Sequence, residues 1–213
     1  GYAGYEYQID VTIWVALDLI FARGQADHVV IEPPSDEDIE ATLNETATNQ
    51  SVSVVGPSSQ LSVQAKTRSR APWTTPAFAD VLLGKETVAK GRTRPLEMLR
   101  KEPLRRYVMV TNEATMAQLR PHEGVHLLDF SDTDELPPYT RKGISGTERA
   151  LLASRILIVS NITREVLHGR ITDLLVRHGH VASASHDACI KDLREAVRAR
   201  MQGEHHGVLT KAN

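Results

Sequence analysis

The chain has 213 residues, 41% hydrophobic and 24% charged, which is ordinary globular composition with room for one large domain or a core plus a subdomain. A formal net charge of −2 excludes a uniformly basic nucleic-acid coat protein, and a lone cysteine, Cys189, excludes an internal disulfide and points to a reducing cytoplasm. The longest apolar run, VTIWVALDLIFA, carries Asp18 and falls short of the about 20 residues a membrane span needs, so it reads as a buried helix and no membrane association is expected.

In chain order, GYEYQIDVTIWVALDLIFARG predicts a buried helix, with Gly24 as its stop. HVVIEPPSDEDIEATL reads as strand, turn and strand, with Ile39, Ala41 and Leu43 on one face of the second strand and Asp38, Glu40 and Thr42 on the other. SVSVV is a short strand candidate. LSVQAKTRSR opens as a strand, with Leu61, Val63 and Ala65 facing one way and Ser62, Gln64 and Lys66 the other. The apolar set suits a core, and the polar set is expected to reach water, a ligand or a metal. TTPAFADVLLG predicts a short helix capped by Thr74 or Thr75 with Pro76 in its first turn. RYVMVTN and GVHLLDF read as buried strands. SDTDELPPYTRKGISG reads as a loop and subdomain boundary. TERALLAS (helix), RILIVS (strand) and two longer helices follow, the second ended by Gly203. The expected organisation is a mixed α/β core over 1–145, its central sheet flanked by helices, with an α-rich extension over 146–213. The start at Gly1, without methionine, is expected of a piece of something longer.

Charge is unevenly spread. Seven acids and no Lys or Arg lie between Asp27 and Thr48, whereas eleven bases face four acids between Lys66 and Arg106. Such blocks suit a site that holds cations and meets a polyanion. If the two half-polar strands are sheet neighbours, Asp38 shares a face with Gln64 and Lys66. A carboxylate, a carboxamide oxygen and the Ala65 carbonyl are hard ligands that suit Mg2+ or Mn2+ rather than zinc. A lysine beside them would orient a water and stabilise charge developing on a phosphate.

These residues resemble the restriction-endonuclease-like PD-(D/E)XK superfamily. GYEYQ, the start of SDEDIEA and VQAKT fall in the family's order of helix, β-hairpin carrying Asp, and (Glu/Gln)-x-Lys strand. The likeness covers about residues 4 to 130 and is to Mrr-like nucleases, among them effector domains of cyclic-oligonucleotide (CBASS) systems and antiviral STAND ATPases. It implies a restriction-endonuclease-like core and a Mg2+-dependent double-stranded DNA endonuclease of anti-phage defence. Asp38 and Gln64 would be metal ligands, Lys66 the catalytic lysine and Glu6 an auxiliary acid. Gln64 stands where glutamate is commoner, and the adjacent Asp36 and Glu37 leave the ligand's identity open. A further C-terminal sensor or ATPase region and an active homo-oligomer are expected partners.

Arg68, Arg70, Lys90, Arg92 and Arg94 are candidate contacts to the DNA backbone, while Trp73 is expected to be a buried anchor. The alternative is a catalytically silent DNA-binding or assembly module of the same fold. HEGVH, residues 122–126, matches the H-E-x-x-H zinc-protease pattern. Pro121, Gly124 and the apolar run that follows argue against the helix this chemistry requires. No Walker-type or G-x-G-x-x-G phosphate loop is present.

Overall fold

The computed structural model describes residues 2–32, 38–44, 46–47, 54–55, 58–84, 94–142, 144–203 and 207–211. It is α/β, as the alternation of helical and strand patterns requires. Strands β1 (His28–Ile31), β2 (Ile39–Leu43), β5 (Ser59–Lys66), β6 (Arg105–Thr111), β7 (Ile156–Val159) and β8 (Val208–Thr210) form a mixed sheet in the order β7-β6-β5-β2-β1-β8. Strands β3 (Thr46–Ala47) and β4 (Val54–Val55) make a separate antiparallel pair. The chain divides into two compact units, one of Gly1–Pro33, Asp38–Leu61 and Arg164–Asn213, the other of Pro34–Glu37 and Ser62–Thr163. That division differs from the expected boundary at 145, because the last two helices cluster with the first.

In the first unit, helix α1 (Tyr2–Ala16) is buried at every position from Glu6 to Ala16 except half-buried Gln8. A helix buried on all sides must be enclosed by others. Helices α5 (Arg164–Arg177) and α6 (His186–Met201) pack against it. The carboxylates that α1 buries are paired, whereas its buried Tyr7 hydroxyl has no hydrogen-bond partner among the described residues. Asp10, 1% exposed, accepts from Arg194 Nε at 2.7 Å and from Arg164 Nε at 3.0 Å. Trp14 lies under the Arg170 guanidinium, 4.7 Å from its ring centre. A π-helical turn, Leu17–Ala22, extends α1 and was not signalled by periodicity. Its Asp18 binds Arg23 at 2.7 Å, and Gly24, at φ +61°, turns the chain toward β1.

β1 pairs antiparallel with β2, Val29 opposite Ala41, and the Glu32 amide donates to the Asp38 carbonyl to close the hairpin. Burial along β2 alternates strictly, with Ile39, Ala41 and Leu43 inside, as the sequence pattern predicts. Thr42 and Gln60 exchange side-chain hydrogen bonds, Gln60 Nε2 donating at 3.0 Å, which aligns β2 with the start of β5. An apolar cavity of about 180 Å³, with Leu17, Ile20, Leu193 and half-buried Cys189 among its lining, opens beside the π-helical turn. Burial and Asp192 push the Cys189 thiol pKa up, which disfavours the reactive thiolate.

The second unit is built on parallel strands. β6 and β7 pair in parallel, Val108 opposite Leu157. Two side-chain pairs between β5 and β6, Ser62–Arg105 and Gln64–Tyr107, are each 43 residues apart, the constant offset of a parallel register. Helices α2 (Thr75–Leu82), α3 (Pro95–Lys101) and α4 (Gly146–Ala153) supply the covering layer. Thr74 caps α2, its Oγ1 accepting from the Ala77 amide, and Pro76 sits in the first turn. Phe78, Leu82, Leu99, Met109 and Ile158 form the centre of this core, none above 0% exposure. Among the described residues no helix is long and apolar enough to cross a membrane.

Candidate functional site

β5 carries the candidate chemistry. Alternation predicts one open, polar face, but the strand is buried on both faces from Leu61 to Gln64. Ser62 is 2% and Gln64 6% exposed. The pattern predicts that the polar set reaches water, a ligand or a metal, and here Ser62 and Gln64 meet protein side chains. Their partners are the side chains of Arg105 and Tyr107, which stand two apart on β6 and so share a face. Arg105 donates to the Ser62 hydroxyl and, from Nε, to Glu102 at 2.8 Å. The Tyr107 hydroxyl donates to Gln64 Oε1 at 2.7 Å. Lys66, next on that face, is half-buried, and among the described residues its ammonium has no hydrogen bond or ion pair.

Beyond Lys66 the chain is held tightly. The Asn112 carboxamide grips Arg68 on both sides, accepting from its amide at 2.9 Å and donating to its carbonyl at 3.0 Å. The Arg70 amide, at φ +58°, donates to Glu113 at 3.2 Å. Trp73 is 5% exposed, and its indole N–H donates to Thr111 at 2.6 Å, the anchor role expected of it. Arg68 lies over the same indole at 4.8 Å and donates to the Pro72 carbonyl, which leaves its guanidinium partly committed. Arg70 is exposed, and Arg94, beside α3, is 3.5 Å from Glu97. Lys90 and Arg92 lie outside the described residues, as do Asp36 and Glu37.

Asp38 stands half-buried at the entry to β2, in the first unit. Glu6 is occupied differently from its expected part as an auxiliary acid. Both its oxygens accept from Arg198, at 2.9 and 3.0 Å, and Arg164 is 3.8 Å away. A role on a metal would require that ion pair to open.

Gln64 offers one hard oxygen of the kind a divalent cation takes. A carboxamide oxygen has two lone pairs, and Tyr107 uses one of those on Gln64 Oε1. Among the described residues no group of three His, Cys, Asp or Glu could hold a metal. A cation at Gln64 would therefore rest on amide and carbonyl oxygens rather than on an acidic cluster.

The zinc-protease match fails on geometry. His122 ends a 3-10 helix (Ala117–His122), Glu123 is extended, and the residues after it are bends and turns, so no helical face presents both histidines. Its residues have structural work. Glu123 accepts from the hydroxyls of Thr115 and Ser160. A side chain at Gly124 would come within 2.7 Å of Asp129 Cβ. His122 is buried, a ring nitrogen donating to the Glu135 carbonyl at 3.1 Å, and burial pulls its pKa down. GVHLLDF is thus no strand, since Asp129 takes the Val125 and His126 amides to close a turn.

Sequence reasoning missed Arg105, Tyr107 and Asn112. The signal was present in RRYVMVT, whose polar members stand two apart, but the run was read only for its apolar content.

No family model and no curated protein matches the chain. Its fold is similar to solved structures of an Acinetobacter baumannii Cap4 SAVED/CARF-domain-containing receptor. For one, the TM-score is 0.51 at 11% identity, over 98% of this chain and 44% of that one. The same receptor with the cyclic trinucleotide 3'3'3'-cAAA gives a TM-score of 0.54 at 11% identity, over 98% and 45%. With 2'3'3'-cAAA it gives 0.53 at 11% identity, over 97% and 42%. The chain spans less than half the length of these receptors, and at this identity the likeness is one of fold.

Proposed function

We propose that the chain is a Mg2+-dependent DNA endonuclease module of an anti-phage effector. Its cutting would answer to a cyclic oligonucleotide sensed by another part of the protein. The observation that carries the reading is Gln64 fixed by Tyr107, two residues before an ammonium with no partner among the described residues. The order of α1, the β1–β2 hairpin and Gln64-x-Lys66 on β5 supports it. So does the meeting of two independent lines. The residue motifs resemble effector nucleases of cyclic-oligonucleotide systems, and the similar folds include receptors bound to cyclic trinucleotides.

In this reading Gln64 and the Ala65 carbonyl would hold the cation, which when bound supplies a water of lowered pKa and polarises a phosphoryl oxygen. Lys66 stabilises the charge that develops on the scissile phosphate. Arg70, with Lys90, Arg92 and Arg94, neutralises backbone phosphates without reading sequence. Assembly of several copies would switch the module on.

The test is cleavage of supercoiled plasmid by the chain at micromolar concentration. We expect nicking that needs Mg2+, stops in EDTA, and falls at least about 100-fold in Lys66→Ala. DNA retention without cleavage, the same in both proteins, would leave a silent binding module. The similar folds of receptors with cyclic trinucleotides favour a second reading, in which this chain itself holds the cyclic oligonucleotide. Calorimetric binding of 3'3'3'-cAAA to the chain, with no Mg2+-dependent cleavage, would select it.

A further inference from the structure

We infer that Glu113 is a positioning residue: it holds the backbone of Arg70 so that the Arg70 guanidinium meets a phosphodiester of the DNA strand; this rests on the DNA-binding part of the reading above. The loop that follows β5 is pinned at three points. At its entry the Asn112 carboxamide makes both hydrogen bonds that a neighbouring peptide would make with Arg68. At its exit the Trp73 amide donates to the Ala114 carbonyl at 2.7 Å, and the Met116 amide donates to the Trp73 carbonyl at 2.9 Å. Between them the Arg70 amide donates to Glu113 Oε1 at 3.2 Å, an oxygen that also accepts from Asn112 Nδ2 at 3.4 Å. Glu113 is itself fixed, its carbonyl accepting from the Asn161 amide at 3.2 Å.

Arg70 sits in the left-handed region, at φ +58°. Glycine or asparagine adopts that conformation with less strain than a long side chain does. The arginine gains nothing inside the protein in return. It is exposed, and among the described residues its guanidinium has no hydrogen bond or ion pair. Arg68 differs, since its guanidinium lies over Trp73 and donates to the Pro72 carbonyl. A strained backbone clamped by a carboxylate and carrying an unused cation suits a ligand from outside the chain. The planar guanidinium fork matches the two free oxygens of a phosphodiester. Arg70 follows Lys66 by four residues, at most about 14 Å of chain. The phosphate it takes therefore lies within a few nucleotides of the one that Lys66 serves.

Anisotropy of a fluorescein-labelled DNA duplex, titrated with the chain in EDTA, tests the contact without cleavage. Arg70→Gly should weaken binding about 5–10-fold at about 0.1 M salt and lower the slope of log K against log salt by about 0.9, one phosphate contact. Its melting temperature should not fall, because glycine takes the left-handed conformation freely. Falls in both affinity and melting temperature would make Arg70 structural and overturn the inference. Glu113→Ala gives the sharper sign. Loss of a negative charge near a polyanion tightens binding, whereas loss of the clamp should weaken it about threefold or more, a large part of one phosphate contact. Glu113→Gln keeps an acceptor and should bind at least as well as the native chain. In an Arg70→Gly background Glu113→Ala should no longer weaken binding. Tighter binding by Glu113→Ala alone would overturn the positioning role and leave the nuclease reading standing. Should that variant fail to fold, Glu113→Met, which lacks the carboxylate, takes its place under the same criterion. Arg70 dependence toward 3'3'3'-cAAA but not toward DNA would overturn the DNA assignment. A native chain that binds no DNA would sink both the inference and the nuclease reading, and Arg70-dependent binding without Mg2+-dependent cleavage would sink the nuclease reading alone.

Discussion

Each unit of the molecule buries a row of polar side chains, and the two rows are resolved in opposite ways. On α1, Glu6 and Asp10 stand one helical turn apart and meet Arg164, Arg194 and Arg198 from α5 and α6. Every carboxylate oxygen in that row has a guanidinium. On β5, Ser62 and Gln64 are satisfied by side chains of β6, but the row ends in a lysine left without a partner among the described residues. The helical row is closed, and it docks three helices. The strand row is closed up to its last member, and that member is where chemistry can enter. Residue type alone did not separate these cases, since a glutamate on the first helix and a glutamine on a strand both stood among the candidate site residues. Pairing separates them.

Three measurements can break or sharpen that contrast. Asp10→Ala leaves two guanidinium groups facing a buried gap, and we expect a loss of about 3 kcal/mol in urea denaturation. Both arginines are partly exposed, which keeps the effect at the low end for a buried pair. A loss near zero would mean the helical row is ornamental. His122 comes next. Burial lowers the pKa of its imidazole in the folded chain, while the unfolded chain takes up a proton near pH 6.5. The unfolded state therefore binds more protons as pH drops through about 6.5, and stability declines there by up to about 1.4 kcal/mol per pH unit. Thermal melts between pH 8 and 5 should show that decline and lose part of it in His122→Gln. Equal slopes in the two proteins would remove His122 as the cause. The smallest effect belongs to Lys66→Met, expected within about 0.5 kcal/mol of the native chain because no pairing is lost. A drop as large as that of Asp10→Ala would show Lys66 to be structural and erase the difference between the rows.

Much of the fold was legible because it rests on local periodicity. The alternation of Ile39, Ala41 and Leu43, the Thr74 cap with Pro76, and the helical spacing along α5 and α6 all appear as read. Features set by distant partners were not. Alternation along LSVQAK separates two faces but cannot say that β6 covers the polar one with Arg105 and Tyr107. VHLLDF has strand-like content, yet the Asp129 carboxylate captures two backbone amides and makes a turn. The π-helical turn and the three residues of β8 are too short to leave a periodic trace. Of the candidate site, Gln64 and Lys66 were found on the expected strand, while Tyr107, which fixes Gln64, was hidden in an apolar run.

β8 occupies the outer rim of the sheet, pairing antiparallel with β1 through Val29 opposite Leu209. It reaches that rim through Gly207, at φ +69°, where a side chain would come within 2.7 Å of the Ile31 carbonyl oxygen. An uncovered rim strand offers a row of vacant amides and carbonyls on which another copy can add itself. At three residues, β8 keeps that row short, one way in which sheets blunt an edge. In a protein proposed to switch on by assembling, that keeps one route to aggregation apart from ordered association.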